Sequence, residues 1–136
     1  MLKKILFVCV ENSCRSQMAE GIARHLGKRI FEVYSAGSKP KSEVNPNAIK
    51  VMQEIGIDIS SYKSKGFNEV PIRNFDCVIT LGCKDICPFF SAEKHIEWNI
   101  DDPKGKDIDF FIKTRDAIKY KIEQLIEDIY HENKGA

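Results

Sequence analysis

Residues 3–10, KKILFVCV, are an apolar run with charge at its start, and a helical period begins only a short loop beyond Cys9. A continuous apolar run of this length is the mark of a strand buried on both faces, as in a parallel sheet. The alternation continues down the chain. RSQMAEGIARHLG reads as helix, with Met18, Ile22 and Leu26 on one face and Gly27 as its stop. IFEVYSAG is a second strand in which Phe31, Val33 and Ser35 alternate. SKPKSEVNPN is a loop, and PNAIKVMQEIG a helix with Asn45 as N-cap, Pro46 in its first turn and Gly56 at its end. FDCVITL and the shorter HIEWNI are strands three and four. Ile108, Phe111, Ile112, Ile118, Ile122, Leu125 and Ile129 give residues 107–131 a helical period. Gly66 and Pro71 leave residues 60–74 without a predicted element.

Strands alternating with helices predict an α/β fold: one domain over residues 1–136, a four-stranded parallel sheet and helices on both faces. In such sheets ligands sit beyond the carboxyl ends of the strands, where the strand order reverses. With order 2-1-3-4 that point lies beside strand one, at the loop VENSCR.

Charge narrows the possible partners. The 136 residues are 43% hydrophobic and 30% charged, with a net charge of +1, so no global field favours nucleic acid or an anionic membrane. An anion site has to be built locally. Ile5–Val10 is too short for a secretory signal or a membrane span, and a cytoplasmic location is expected. There the five cysteines, at positions 9, 14, 77, 83 and 87, stay thiols unless chemistry oxidises them.

A loop that turns from a strand into a helix aims several N–H groups at one point, and the helix start adds partial positive charge. Val10, Glu11, Asn12, Ser13, Cys14, Arg15 and Ser16 are therefore candidate ligands of a tetrahedral oxyanion, with Arg15 adding a charged planar fork. Cys9 would lie beneath the anion, its thiolate stabilised by the same groups and by the Ser16 hydroxyl. A free thiol near pKa 8.5 is only about 3% ionised at pH 7, whereas one near 6 is about 90% ionised. The bland alternative is a buried structural Cys9 and a surface Arg15. Cys83 and Cys87, just past strand three, admit three readings: a redox pair, two members of a zinc clip, or inert thiols. Cys77, inside a strand, reads as core. The Asp101–Asp102–Pro103 turn beyond strand four is either a solvated turn or a source of an acid.

Together, CVENSCRSQMAEG, YSAG at 34–37, VNPNAI at 44–49, VITLGC…CP at 78–88 and DDPKG at 101–105 resemble the low-molecular-weight protein tyrosine phosphatase superfamily. NSCRSQMAEG resembles its thioredoxin-coupled arsenate reductase branch in particular, since phosphatases usually carry proline where Gln17 stands. The resemblance implies the phosphatase-like fold and a set of roles. Cys9, Arg15, Cys83, Cys87 and Asp102 would be catalytic: Cys9 attacks arsenate, Asp102 protonates the departing oxygen, and Cys83 then Cys87 carry a disulfide relay reopened by thioredoxin. A phosphotyrosine phosphatase using Cys9, Arg15 and Asp102 is the alternative. Arsenate would compete with phosphate and sulfate. No cofactor, nucleic acid or membrane is implied, and a monomer is expected. Asn12, Glu20 and Ser35 match positions where some relatives bind potassium; because Lys65 stands at the fourth position, an ammonium is expected in place of the metal. Glu11, where many relatives have glycine, is expected to point away from the anion or weaken its binding.

Overall fold

The computed structural model describes residues 2–41, 43–82 and 90–134. Four parallel strands form one sheet in the order β2-β1-β3-β4: β1 Lys3–Cys9, β2 Phe31–Gly37, β3 Asn74–Leu81 and β4 Ser91–Trp98. The α-helices are α1 Arg15–Leu26, α2 Pro46–Glu54 and α3 Ile108–Lys134, and a short 3-10 helix spans Phe67–Glu69. β1 lies between β2 and β3, which is why it is apolar and buried from Ile5 to Cys9.

Alternate side chains of β1 serve two cores. Ile5 and Phe7 pack with Met18 and Ile22 of α1, Val51 and Met52 of α2, and Phe111, Ile118 and Ile122 of α3. Leu6 and Val8 face the other way, against Ala36, Val70, Phe75, Val78 and Phe90. There Phe90 meets Phe67 of the 3-10 helix and Phe75 edge-on, at centroid separations of 5.5 and 5.6 Å. The three α-helices pack on one face; on the other, the cover among the described residues is the 3-10 helix with the neighbouring Val70, Ile72 and Phe90. Full burial of a side chain such as Phe7 contributes about 1.5–3 kcal/mol. A strand apolar on both faces gains that from either alternation, so its register needs other determinants. At the lower end the Asp76 carboxylate accepts from the Lys4 N–H at 2.7 Å. At the upper end Cys9 pairs with Gly37.

The α2 cap is as predicted, the Asn45 side chain accepting from the Asn47 N–H at 2.9 Å. The largest boundary differences are in β4 and α3. β4 begins at Ser91, earlier than HIEWNI suggests, because it is an edge strand with mostly exposed side chains. Its pairing with β3 from Asn74↔Ser91 to Leu81↔Trp98 defines it, and no hydrophobic pattern announces it. α3 extends to Lys134. Among the described residues, no helix is long and apolar enough to cross a membrane.

Candidate active site

The loop after β1 is shaped by Asn12, whose φ of 52° is in the left-handed region that asparagine tolerates better than most residues. Its fully buried side chain uses its whole bonding capacity. Nδ2 donates to Ser16 Oγ at 2.7 Å and Ser35 Oγ at 3.0 Å. Oδ1 accepts from Gln17 Nε2 and from the Lys65 N–H, both at 2.7 Å. The loop carbonyls are drawn outward: Val10 O accepts from the Lys39 N–H, Glu11 O from the Lys41 N–H, Ser13 O from the Asn45 N–H and Cys14 O from the Met18 N–H. Asn12 O accepts from Gln17 Nε2 at 3.0 Å. With the carbonyls committed outside, the loop N–H groups are left to the concave side, and no side chain caps the start of α1. This is the arrangement that receives an oxyanion.

Cys9 is buried at the end of β1, with its Sγ 2.8 Å from Ser16 Oγ. Because Ser16 accepts from Asn12, its own proton is available to the sulfur. Arg15 is also buried; its Nη1 donates to Ile100 O at 2.9 Å, and its Nη2 is 3.7 Å from Asp102 Oδ2. The guanidinium thus ties the start of α1 to the Asp102 loop beyond β4. Asp102 is half exposed, and its Oδ1 accepts from the Lys104 N–H at 3.0 Å.

Several contributors have no signal in local sequence. Gly82 has φ +73°, and a Cβ there would lie 2.2 Å from Arg15 Nη1 and 2.5 Å from Ile100 O. Only glycine lets β3 end against the guanidinium. At Gly37 a Cβ would meet Val10 O at 2.5 Å and Asn12 N at 2.8 Å, so β2 is also pared back where the loop passes. Gln17 Nε2 faces three acceptors: both oxygens of Asn12 and Lys63 O at 2.9 Å. That choice orients the amide and leaves its buried Oε1 without a partner among the described residues.

Glu11 does not stand unpaired beside the anion loop. Its Oε2 is 2.9 Å from Lys104 Nζ and 3.3 Å from Lys41 Nζ, and the Lys104 hydrogen bond holds its carboxyl below the ordinary range. Val10 is half-buried and Ser13 buried, its hydroxyl 3.8 Å from Cys14 Sγ. Burial pushes the Cys14 thiol up to about 11, which leaves it protonated at neutral pH. Cys77 is likewise buried in the core, its thiol pushed up to about 11 by desolvation. It borders a cleft of about 600 Å³ between β1, β3, β4 and the last turns of α3. That cleft opens at the start of the strands and holds no counterpart of the Cys9 loop. Cys83 and Cys87 lie outside the described residues.

Behind the loop, the buried Glu20 carboxylate accepts from Ser35 Oγ at 2.5 Å and pairs with Arg24 Nε at 3.0 Å. Lys65 Nζ is 3.4 Å from Glu20 Oε1 and donates to Lys63 O at 3.1 Å. These residues do not fit a potassium ion: with two cations already on Glu20, a third positive charge would be repelled.

The sequence matches the model of the low molecular weight phosphotyrosine protein phosphatase family over residues 4–135, and the chain belongs to that family. Its relatives there carry a more specific name. A glutaredoxin arsenate reductase of Synechocystis is 40% identical over 131 residues, covering 94% of this chain and 99% of that protein. The solved structure of an arsenate reductase in its phosphate-binding state, 40% identical, superposes with a TM-score of 0.86 over 94% of this chain and 99% of the other. A thioredoxin-dependent arsenate reductase of Corynebacterium glutamicum is 33% identical, with a TM-score of 0.80 over 96% of this chain and 63% of that one.

Proposed function

We propose that this protein reduces arsenate to arsenite through a thiol relay that begins at Cys9. The observation that carries the reading is the Ser16 hydroxyl 2.8 Å from the Cys9 sulfur, inside a loop whose carbonyls from Val10 to Cys14 are all engaged by other donors. The Cys9 thiolate attacks arsenic, and an oxygen leaves as water after accepting a proton from Asp102, which lies beside the Arg15 guanidinium. Cys83 then attacks the Cys9 sulfur. The arsenic–sulfur bond breaks, its electron pair stays on arsenic, and arsenite departs. The two sulfurs have supplied the two electrons as a Cys9–Cys83 disulfide. Cys87 attacks Cys83, freeing Cys9 and leaving a Cys83–Cys87 disulfide that a thioredoxin dithiol reduces. Cys83 directly follows Gly82, the glycine packed against Arg15, which favours its role as the second thiol. The whole chain, residues 1–136, acts in this reading as one monomeric cytoplasmic domain.

The test is arsenite production from arsenate with thioredoxin, its reductase and a nicotinamide reductant, beside the same assay with glutaredoxin and glutathione. Turnover with thioredoxin that is lost in both Cys83→Ser and Cys87→Ser is the expected result. Phosphate-ester hydrolysis with no arsenite at any stage would replace the proposal by a phosphatase.

We further propose that the Lys65 ammonium makes added potassium unnecessary. Exchanging sodium for potassium at constant ionic strength is expected to leave the wild-type rate unchanged. Lys65→Met should slow arsenate reduction about tenfold, the scale seen when a supporting group behind a reactive one is removed. A wild-type rate that climbs with potassium would refute this.

A further inference from the structure

The ion pairs of Glu11 close a ring around the site. Glu11 belongs to the anion loop, where its own carbonyl is pinned by Ser64 Oγ at 2.7 Å. Its carboxylate takes Lys104 Nζ at 2.9 Å, across 93 positions of sequence. Lys104 in turn donates its N–H to the Asp102 carboxylate at 3.0 Å, and Asp102 lies 3.7 Å from Arg15, back on the anion loop. The Asp102 loop is therefore attached to the anion loop at two points: Arg15 to Asp102 on one side, Glu11 to Lys104 on the other. Lys41 Nζ, 3.3 Å from the same Glu11 oxygen, reinforces the second.

In-line attack places the leaving oxygen opposite the nucleophile. Arsenate loses only an oxygen there. A phosphate monoester must direct its organic group out past the Asp102 loop. Resting on the reading proposed above, we infer that the Glu11–Lys104 pair is a specificity strap: it holds the Asp102 loop closed, admitting a free tetrahedral oxyanion and hindering an ester. It also neutralises a carboxylate that would otherwise repel either anion.

The test compares kcat/KM for p-nitrophenyl phosphate with kcat/KM for arsenate in wild type, Lys104→Met, Glu11→Gln, the double variant and Lys104→Arg. A change in electrostatic attraction alone moves both substrates together and leaves their ratio fixed. Releasing the strap raises the ester-to-arsenate ratio about three- to fivefold in each single variant, a size set by the modest strength of partly exposed ion pairs. The double variant should match the single ones, and Lys104→Arg, which keeps the pair, should keep the wild-type ratio. A ratio that stays constant across the set overturns the strap, as does a ratio that rises equally in Lys104→Arg. Should wild type make no arsenite, the proposed function fails first. The strap is then judged on ester hydrolysis alone, which must still rise in Lys104→Met and not in Lys104→Arg.

Discussion

Cys9→Ser is expected to eliminate arsenite production, by at least about a thousandfold, while the protein stays folded and still binds phosphate. Cys9 is buried at the end of β1, and exchanging sulfur for the smaller oxygen there changes little volume. What changes is chemistry. An alkoxide is inaccessible at neutral pH, and oxygen cannot become one half of a disulfide, so both the first attack and the electron transfer are lost. The anion-binding parts remain: Arg15 keeps its bond to Ile100 O, and Asn12 keeps the loop in shape. Arsenite quantified after a fixed incubation, alongside the rise in Tm on adding phosphate, separates the two functions. Arsenite from the serine variant would remove Cys9 from the mechanism. Loss of phosphate binding as well would mean that the sulfur is needed to form the loop.

Gly82→Ala should cost about 1–3 kcal/mol of stability and about a hundredfold in kcat/KM, although residue 82 carries no chemistry. The left-handed φ of +73° is one source, since any Cβ strains that backbone. The second is contact: the new carbon would sit 2.2 Å from Arg15 Nη1 and 2.5 Å from the Ile100 carbonyl, the very atoms that position the guanidinium. Either the arginine turns away from the anion or β3 retreats from it. Gly56→Ala provides the control, because Gly56 has a φ of +79° with nothing within 4 Å of its Cβ position. It should lose stability without losing activity at a temperature where both variants are folded. Thermal melts with arsenate kinetics on both variants distinguish strain from displacement. Equal activity losses would mean that strain alone accounts for the effect.

The elements that read most clearly in sequence are those whose signals are local. β1 is a run of apolar residues, α1 and α3 have helical periods, and Asn45–Pro46 announces α2. β4 is less legible because an edge strand gains its order from main-chain pairing and can leave its side chains polar and exposed. The segment before β3 was equally opaque. Its 3-10 helix is held by the Glu69 carboxylate accepting from the Gly66 N–H at 2.6 Å, and its place by Lys65 O accepting from the Gly37 N–H at 2.9 Å. Within the candidate site, Cys9, Arg15 and Ser16 are legible because one short loop holds them. Asp102 could be singled out only through resemblance, since an Asp-Pro turn is common on any surface.

Residue order by itself determined the strand–helix alternation and the make-up of the anion loop, because periodicity and loop spacing act over a few neighbouring positions. The tertiary structure alone decided that Gly82 abuts Arg15 and that Glu11 meets Lys104 across 93 positions. Such partners are brought together by the parallel sheet, which gathers the ends of distant strands along one edge. No local pattern records which side chains will meet there.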